Sequence, residues 1–303
     1  MMDKSPCVYE KIEELNLEII RLKTSKEYLL GKKILKIKEY LKEFRIYALI
    51  KKIVENKKIS KISHEEEENN YKKIEVNIKS KPKIAVYTCV TGNYDKKILE
   101  PFVKVENIDF YLFTDNTEKQ SEYWSIKAIP EKINKKYNNI LKNRYLKMHP
   151  YELFENYDYS IYIDGNVQVM SDLTDLVFSI NKSVGIAMHK HQFRDCICDE
   201  IEACKIKKKG NYREMKKQVQ KYIENGFPKK FGMLEATIII TDLKNKVAKK
   251  LLNEWWVEFI SNGSLRDQIS LQYVVWKNNF TIKDIAVLGS NLYRNPKFRV
   301  NIH

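Results

Sequence analysis

The segment Tyr159-Ser160-Ile161-Tyr162-Ile163-Asp164-Gly165-Asn166-Val167-Gln168-Val169 constrains this chain more than any other. Ile161, Tyr162 and Ile163 form a near-continuous apolar run of strand-forming residues, the pattern of a central strand covered on both faces. Asp164 falls where that strand should end. In open α/β sheets ligands bind outside the carboxyl ends of the strands, so a carboxylate there can meet a diphosphate through a divalent cation. Gly165 permits a tight turn, and Asn166 offers a second oxygen two residues on. The same Asp-Gly-Asn is also ordinary turn chemistry, and these three residues alone favour the plain turn over the metal motif.

The rest of the chain bounds the alternatives. Its 303 residues suffice for one large α/β domain with an appendage. A formal charge of +15 favours anionic partners such as nucleotides, acidic glycans, anionic lipid or nucleic acid. No apolar run approaches the roughly 20 residues of a membrane span, and the N-terminus lacks a signal-peptide core. The expected location is cytoplasmic. Cys7, Cys89, Cys196, Cys198 and Cys204 are odd in number and unevenly spaced, which argues against a disulfide framework.

A boundary near residue 80 divides the sequence into an extension over 1–80 and a domain over 81–303. The extension is basic and mostly helical in texture. Ile12, Leu15, Ile19 and Leu22 recur at helical spacing and fit a short coiled coil, a route to a homo-oligomer. Leu30, Ile34, Ile37, Leu41 and Phe44 form an apolar stripe flanked by lysines. Such a basic amphipathic segment, within residues 26–58, suits either an anionic membrane surface or packing on protein. The polar stretch from Lys57 to Lys81 has the composition of a linker.

The domain opens with Lys83-Ile84-Ala85-Val86-Tyr87-Thr88-Cys89-Val90-Thr91-Gly92-Asn93-Tyr94-Asp95, a strand running into a turn. Its single glycine is neither a dinucleotide fingerprint nor a P-loop. A second strand runs from Asp109 to Asp115, and a short one lies around Trp124–Ile129. A helix is expected over 138–154, with Arg144 and Lys147 on one face.

Beyond the Asp164 strand, a strand over 183–188 leads into His189, His191, Cys196, Cys198 and Cys204. That cluster invites zinc, but its Cys-x-Cys spacing fits no standard finger or ribbon. Residues 205–230 are strongly basic and have the pattern of an amphipathic helical insertion, either a solvated face or a site for an anionic acceptor or membrane. Phe231–Thr241 is a strand carrying Glu235 near its start. A helix around Trp255-Trp256 precedes Ser264-Leu265-Arg266-Asp267-Gln268, where Ser264 can cap a helix whose first turn holds Asp267. An acid and an amide side by side there also suit sugar hydroxyls.

Taken in order, these motifs resemble a family of GT-A-like glycosyltransferase domains, long described only as a domain of unknown function, that occurs in plant mucilage-related proteins and bacterial polysaccharide loci. The resemblance rests on Tyr87–Asp95, Phe113-Thr114-Asp115, Arg144 with Lys147, and Tyr162-Ile163-Asp164-Gly165-Asn166. It continues through His191 with Arg194-Asp195-Cys196, Glu235, Trp255-Trp256 and Arg266-Asp267-Gln268. The order is also similar to that of glycogenin-type transferases. Residues 1–80 lie outside it.

The resemblance implies a GT-A-like, Rossmann-type mixed α/β sheet flanked by helices. It implies a nucleotide-sugar donor, a UDP-sugar above all, with Mn²⁺ or Mg²⁺ on its phosphates. Asp164 is then the principal metal ligand and Asn166 an auxiliary one, with His303 or His189 as further candidates because asparagine lacks charge. Thr91, Gly92, Asn93 and Asp115 line the nucleoside pocket. Arg144 and Lys147 face the diphosphate. Glu235, Asp267 and Gln268 face the donor sugar and a glycan or lipid-linked acceptor, and Glu235 or Asp267 is the candidate general base of an inverting reaction. The expected role is surface-polysaccharide synthesis at the inner face of a membrane. Two alternatives remain open: a metal-dependent phosphoryl or nucleotidyl transferase, and a non-catalytic basic protein that binds nucleic acid or a membrane surface. The basic residues are not interleaved with an aromatic platform, which argues against nucleic acid.

Overall fold

A computed structural model describes residues 81–92, 98–289 and 292–301. The coiled-coil, membrane-facing and linker expectations for residues 1–80 lie outside the described residues, as do Asn93 and His303.

A six-stranded sheet in the order β3-β2-β1-β4-β7-β6 organises the domain. Its strands are β1 (Ile84–Val90), β2 (Ile108–Thr114), β3 (Trp124–Ala128), β4 (Tyr159–Ile163), β6 (Ile186–Lys190) and β7 (Leu234–Asp242). The first four are mutually parallel, while β7 runs antiparallel to both β4 and β6. The apolar runs account for the central strands: every residue of β1 is buried, as are Ser160–Ile163 of β4. Alternation sends Ala85, Tyr87 and Cys89 into one core layer and Ile84, Val86 and Val90 into the other.

Helices cover one face and a two-stranded ribbon the other. The first layer packs under α2 (Asn139–Met148), α6 (Lys246–Ser261) and α7 (Asp267–Lys277), with Trp255 fully buried. The second is closed by a ribbon of β5 (Val167–Val169) and β8 (Phe298–Val300). Between β6 and β7 the chain makes an excursion containing α4 (Ile197–Ile206) and α5 (Tyr212–Glu224), which has an apolar cluster of its own shared with Ile269 and Tyr273 of α7.

Three local expectations need correction. The helix expected over 138–154 is preceded by α1 (Glu131–Lys136) and is split into α2 and α3 (Pro150–Leu153). Pro150 disfavours helical backbone at His149, which sits at φ −125° and ψ 49°. Ser264 does not cap α7. Arg266 holds the cap position, and the Ser264 hydroxyl instead accepts from the Arg266 N–H at 3.3 Å. The stretch weighed for zinc folds as the start of α4, where Cys196 Sγ accepts from the Cys198 N–H. The chain closes through α8 (Ile282–Ile285) into β8.

Candidate active site

Asp164 emerges at the carboxyl end of β4, its backbone N–H bonded to the Thr237 carbonyl of β7 at 3.0 Å. Tyr162, two residues earlier and therefore on the same face of the strand, donates its hydroxyl to Asp164 Oδ1 at 2.9 Å. Lys147 Nζ lies 3.8 Å from the same oxygen. The carboxylate is about one-third exposed (34%), so one edge reaches solvent.

One helical turn brings Arg144 and Lys147 onto the same partner, and that partner is Asp267. Lys147 Nζ donates to Asp267 Oδ2 at 3.1 Å. Arg144 Nε approaches the same oxygen at 2.8 Å without hydrogen-bond alignment, so its contribution there is chiefly electrostatic. Lys147 and Asp267 are each 3% exposed. The lysine ammonium also sits 5.1 Å from the Tyr162 ring and 5.9 Å from that of Trp255, while Trp255 Nε1 donates to the Asp267 carbonyl. Burial pushes the Asp267 carboxyl up, but Arg144, Lys147 and Arg266 outweigh it and hold the group well below the ordinary carboxylate range. A carboxylate so strongly paired is a poor proton acceptor. Asp267 anchors the cations and is unsuited to the role of base.

Glu235 has the opposite environment. Because β7 is antiparallel, its first residues lie at the carboxyl ends of the neighbouring strands, which brings Glu235 toward Asp164. Burial raises its pKa above the usual value; the Thr237 hydroxyl, donating at 2.8 Å, pulls it down, and the Asp164 charge pushes it up again. His191 flanks it, with Nε2 3.6 Å from Glu235 Oε2. Burial first, and then the nearby Arg194 charge, push the His191 pKa down to about 4, so the ring is neutral. The backbone N–H groups of Phe193 and Arg194 point at Nδ1. Nε2 also lies 3.1 Å from the Arg194 guanidinium, which can only donate, so donors face both ring nitrogens.

Behind these groups Glu200, fully buried, is shared by Arg194 (2.6 Å) and Arg266 (2.6 and 3.0 Å). Arg266 also donates to Gln268 Oε1 at 2.8 Å, and Gln268 Nε2 donates to the Leu234 carbonyl at 3.2 Å. Gln268 thus braces Arg266 against β7, with both ends of its amide engaged by protein.

At the β1 and β2 ends, Gly92 N–H donates to Asp115 Oδ2 at 2.8 Å and Thr91 Oγ1 donates to the Asn139 carbonyl at 3.1 Å. Gly92 has φ +67°, a conformation that favours glycine. Gly92 and Asp115 line an open cleft of about 500 Å³ with Asn116, Thr117 and Glu118, within the range of small-ligand pockets. The enclosed space beside Asp164, Thr88 and Trp124 measures only about 20 Å³, room for a single water.

The proposed ligand set is only partly assembled. Asn166 Nδ2 donates to the Asn301 carbonyl at 3.0 Å, tying Asn166 to the chain beyond β8. His189 is fully buried with Nε2 against Asn295 at 3.1 Å. Among the described residues no group of three or more histidine, cysteine or acidic side chains is placed to hold a metal.

Asp164, Arg144, Lys147, Asp267 and Glu235 therefore converge, with Thr91, Gly92 and Asp115 at the adjoining strand ends. Sequence reasoning gave no role to Tyr162, Thr237 or Glu200. Strand alternation could have found Tyr162 and Thr237, each two residues from an acid on the same face. Nothing local marks Glu200, whose partners are remote in sequence.

A mixed sheet with carboxylates and cations gathered at the carboxyl ends of its strands is an α/β domain arranged for a charged ligand. Residues 59–299 match the family model of the TOD1/MUCI70 glycosyltransferase-like domain, and the chain belongs to that family. No curated protein matches. Solved structures to which the chain is similar in part include the bifunctional glycosyltransferase WbbM in its apo form (15% identity, TM-score 0.41, 66% of this chain and 38% of that one). Others are the galactosyltransferase LgtC with donor and acceptor sugar analogues (15%, 0.38, 63% and 70%) and mouse xyloside xylosyltransferase 1 in its apo form (7%, 0.42, 67% and 83%). The chain thus spans well under half the length of WbbM. The observed mixed sheet and the family agree with the expected GT-A-like architecture.

Proposed function

We propose that this glycosyltransferase-like domain transfers a sugar from a nucleoside diphosphate donor, a UDP-sugar foremost, to a glycan or lipid-linked acceptor during surface-polysaccharide synthesis. The observation that carries the reading is the convergence of Asp164, the Arg144–Lys147–Asp267 cluster and Glu235 beside the Gly92–Asp115 cleft. The cleft has room for a nucleoside, and Asp115 supplies an acceptor for a base or ribose donor at its wall.

Mg²⁺ or Mn²⁺ suits Asp164, since such ions are commonly held by one or two carboxylates together with substrate phosphates and waters. Bound there, the ion would neutralise charge on the diphosphate. The protein's own contribution is a triad of Arg144, Lys147 and Asp267 that retains a single positive charge beside Asp164. Fixed in place before the reaction, that charge favours a departing anion without reorganisation. Glu235, poorly solvated and less acidic than an ordinary glutamate, is the group suited to receive the acceptor hydroxyl's proton, with neutral His191 beside it. The extension at 1–80 would place the domain at the cytoplasmic face of a membrane.

Thermal-shift titration against nucleotide sugars and free nucleoside diphosphates, with and without Mn²⁺, tests this on the wild type and on Asp164→Ala. A ligand at about 100 times its Kd stabilises the native state by roughly 2.7 kcal/mol. The expected result is metal-dependent stabilisation by one nucleoside class, lost in the variant. No response to any nucleotide by folded protein would reject the reading.

A further inference from the structure

The excursion between β6 and β7 delivers a second set of functional groups to the edge of the site, beyond those that meet the donor. Arg194 and Arg266 share one buried counterion, Glu200, so the trio keeps a net positive charge. Both arginine side chains are about one-fifth exposed (19% and 22%), and each guanidinium carries five N–H donors in a rigid fork, more than these contacts use. The trio adjoins Glu235 through His191, whose ring lies 6.5 Å from that of Phe193. Phe193 is 45% exposed, an aromatic face presented beside the charge.

Leu265, immediately before Arg266, is held at φ +56°, a conformation that costs a leucine energy and persists only where the surroundings impose it. Lys207 and Lys209, at the end of α4, add exposed positive charge near Arg266. An exposed aromatic ring beside two locked guanidiniums suits a ligand with an apolar sugar face and an oxyanion.

We propose that Phe193, Arg194 and Arg266 form an acceptor subsite that selects a sugar bearing an oxyanion, a carboxylate or a phosphate ester. The proposal rests on the glycosyltransferase reading for the word acceptor alone, because the binding preference itself needs no donor.

The test is isothermal titration of the full-length protein with three probes: a glucuronic-acid oligosaccharide, the same oligosaccharide after carboxyl reduction, and the reduced oligosaccharide carrying one phosphate monoester. At least one charged probe is expected to bind about tenfold or more tightly than the neutral one, and the two charged arms tell which oxyanion is preferred. Arg194→Lys, which keeps the charge opposite Glu200 but loses the planar fork, should reduce that preference several-fold. Phe193→Ala, at an exposed position, should weaken all three probes. Equal affinity for charged and neutral probes would overturn the proposal, as would a preference that neither variant moves, since that marks non-specific attraction to a basic protein. Nucleotide-sugar binding on the same samples separates the two readings: an intact donor response with no acceptor preference rejects only the subsite, and the converse rejects only the transferase.

Discussion

Replacing Asp267 by asparagine should destabilise the domain more than any other single change at the site. The carboxylate is 3% exposed and balances Lys147, itself 3% exposed. Removing one member of a buried ion pair strands the other charge and typically costs about 3–5 kcal/mol. Here the stranded ammonium keeps Asp164 at 3.8 Å and the faces of Tyr162 and Trp255, so the lower end, about 3 kcal/mol, is expected. That corresponds to a fall in Tm of roughly 6–12 °C for a domain of this size. Urea unfolding of Asp267→Asn, Lys147→Met and the double variant measures it. The double variant should be more stable than Asp267→Asn, because only Arg144 then remains without its carboxylate instead of Arg144 and Lys147 together. An Asp267→Asn protein as stable as wild type, or a double variant less stable than that single one, would refute the reasoning. The pH dependence carries a sign. Asp267 has a folded pKa held below its unfolded one, so its stabilisation is complete above about pH 4, the ordinary aspartate value, and is lost as pH falls through the folded pKa.

Glu235 behaves in the opposite sense: its raised folded pKa gives stability that is complete below the unfolded value and is lost as pH rises through the folded one. Glu235→Gln should therefore melt higher than wild type at neutral pH while transferring sugar about 10²–10⁴-fold more slowly, as expected for loss of a general base. Gly92→Ala would strain a φ of +67° and place Cβ 2.4 Å from Asn139 Nδ2, so nucleotide binding should fall while the core remains folded by far-UV circular dichroism. Asn245 caps α6, accepting from Val247 and Ala248 N–H, and Asn245→Ala should cost about 1 kcal/mol in urea unfolding.

Legibility of the sequence followed the range of the physics. The buried strands were readable because β1 and β4 bury nearly every residue and so appear as apolar runs. Asp164 was readable as a strand end, and Arg144 with Lys147 as a shared helix face. Their common partner was not, because Asp267 is 120 residues from Lys147 and sits in a helix start that looks solvent-facing in isolation. The α4 helix was obscured by the histidine and cysteine residues before and within it, whose chemistry suggested a ligand set while their backbone formed a cap and a first turn. Glu200 illustrates the same limit: an acid beside Asp199 on a short helix looks like a solvated charge until the fold places two arginines on it.

The antiparallel placement of β7 has a consequence for how this protein can vary. Strands β6 and β7 are already hydrogen-bonded neighbours, so the path between them does not determine the register of the sheet. The segment from His191 to Met233 is nonetheless tied to the site, because its Glu200 holds Arg266 and its helices pack on Ile269 and Tyr273 of α7, the helix that carries Asp267. A change in that excursion is therefore felt beside Asp267 through one buried carboxylate and one shared apolar cluster, although it alters no strand of the sheet.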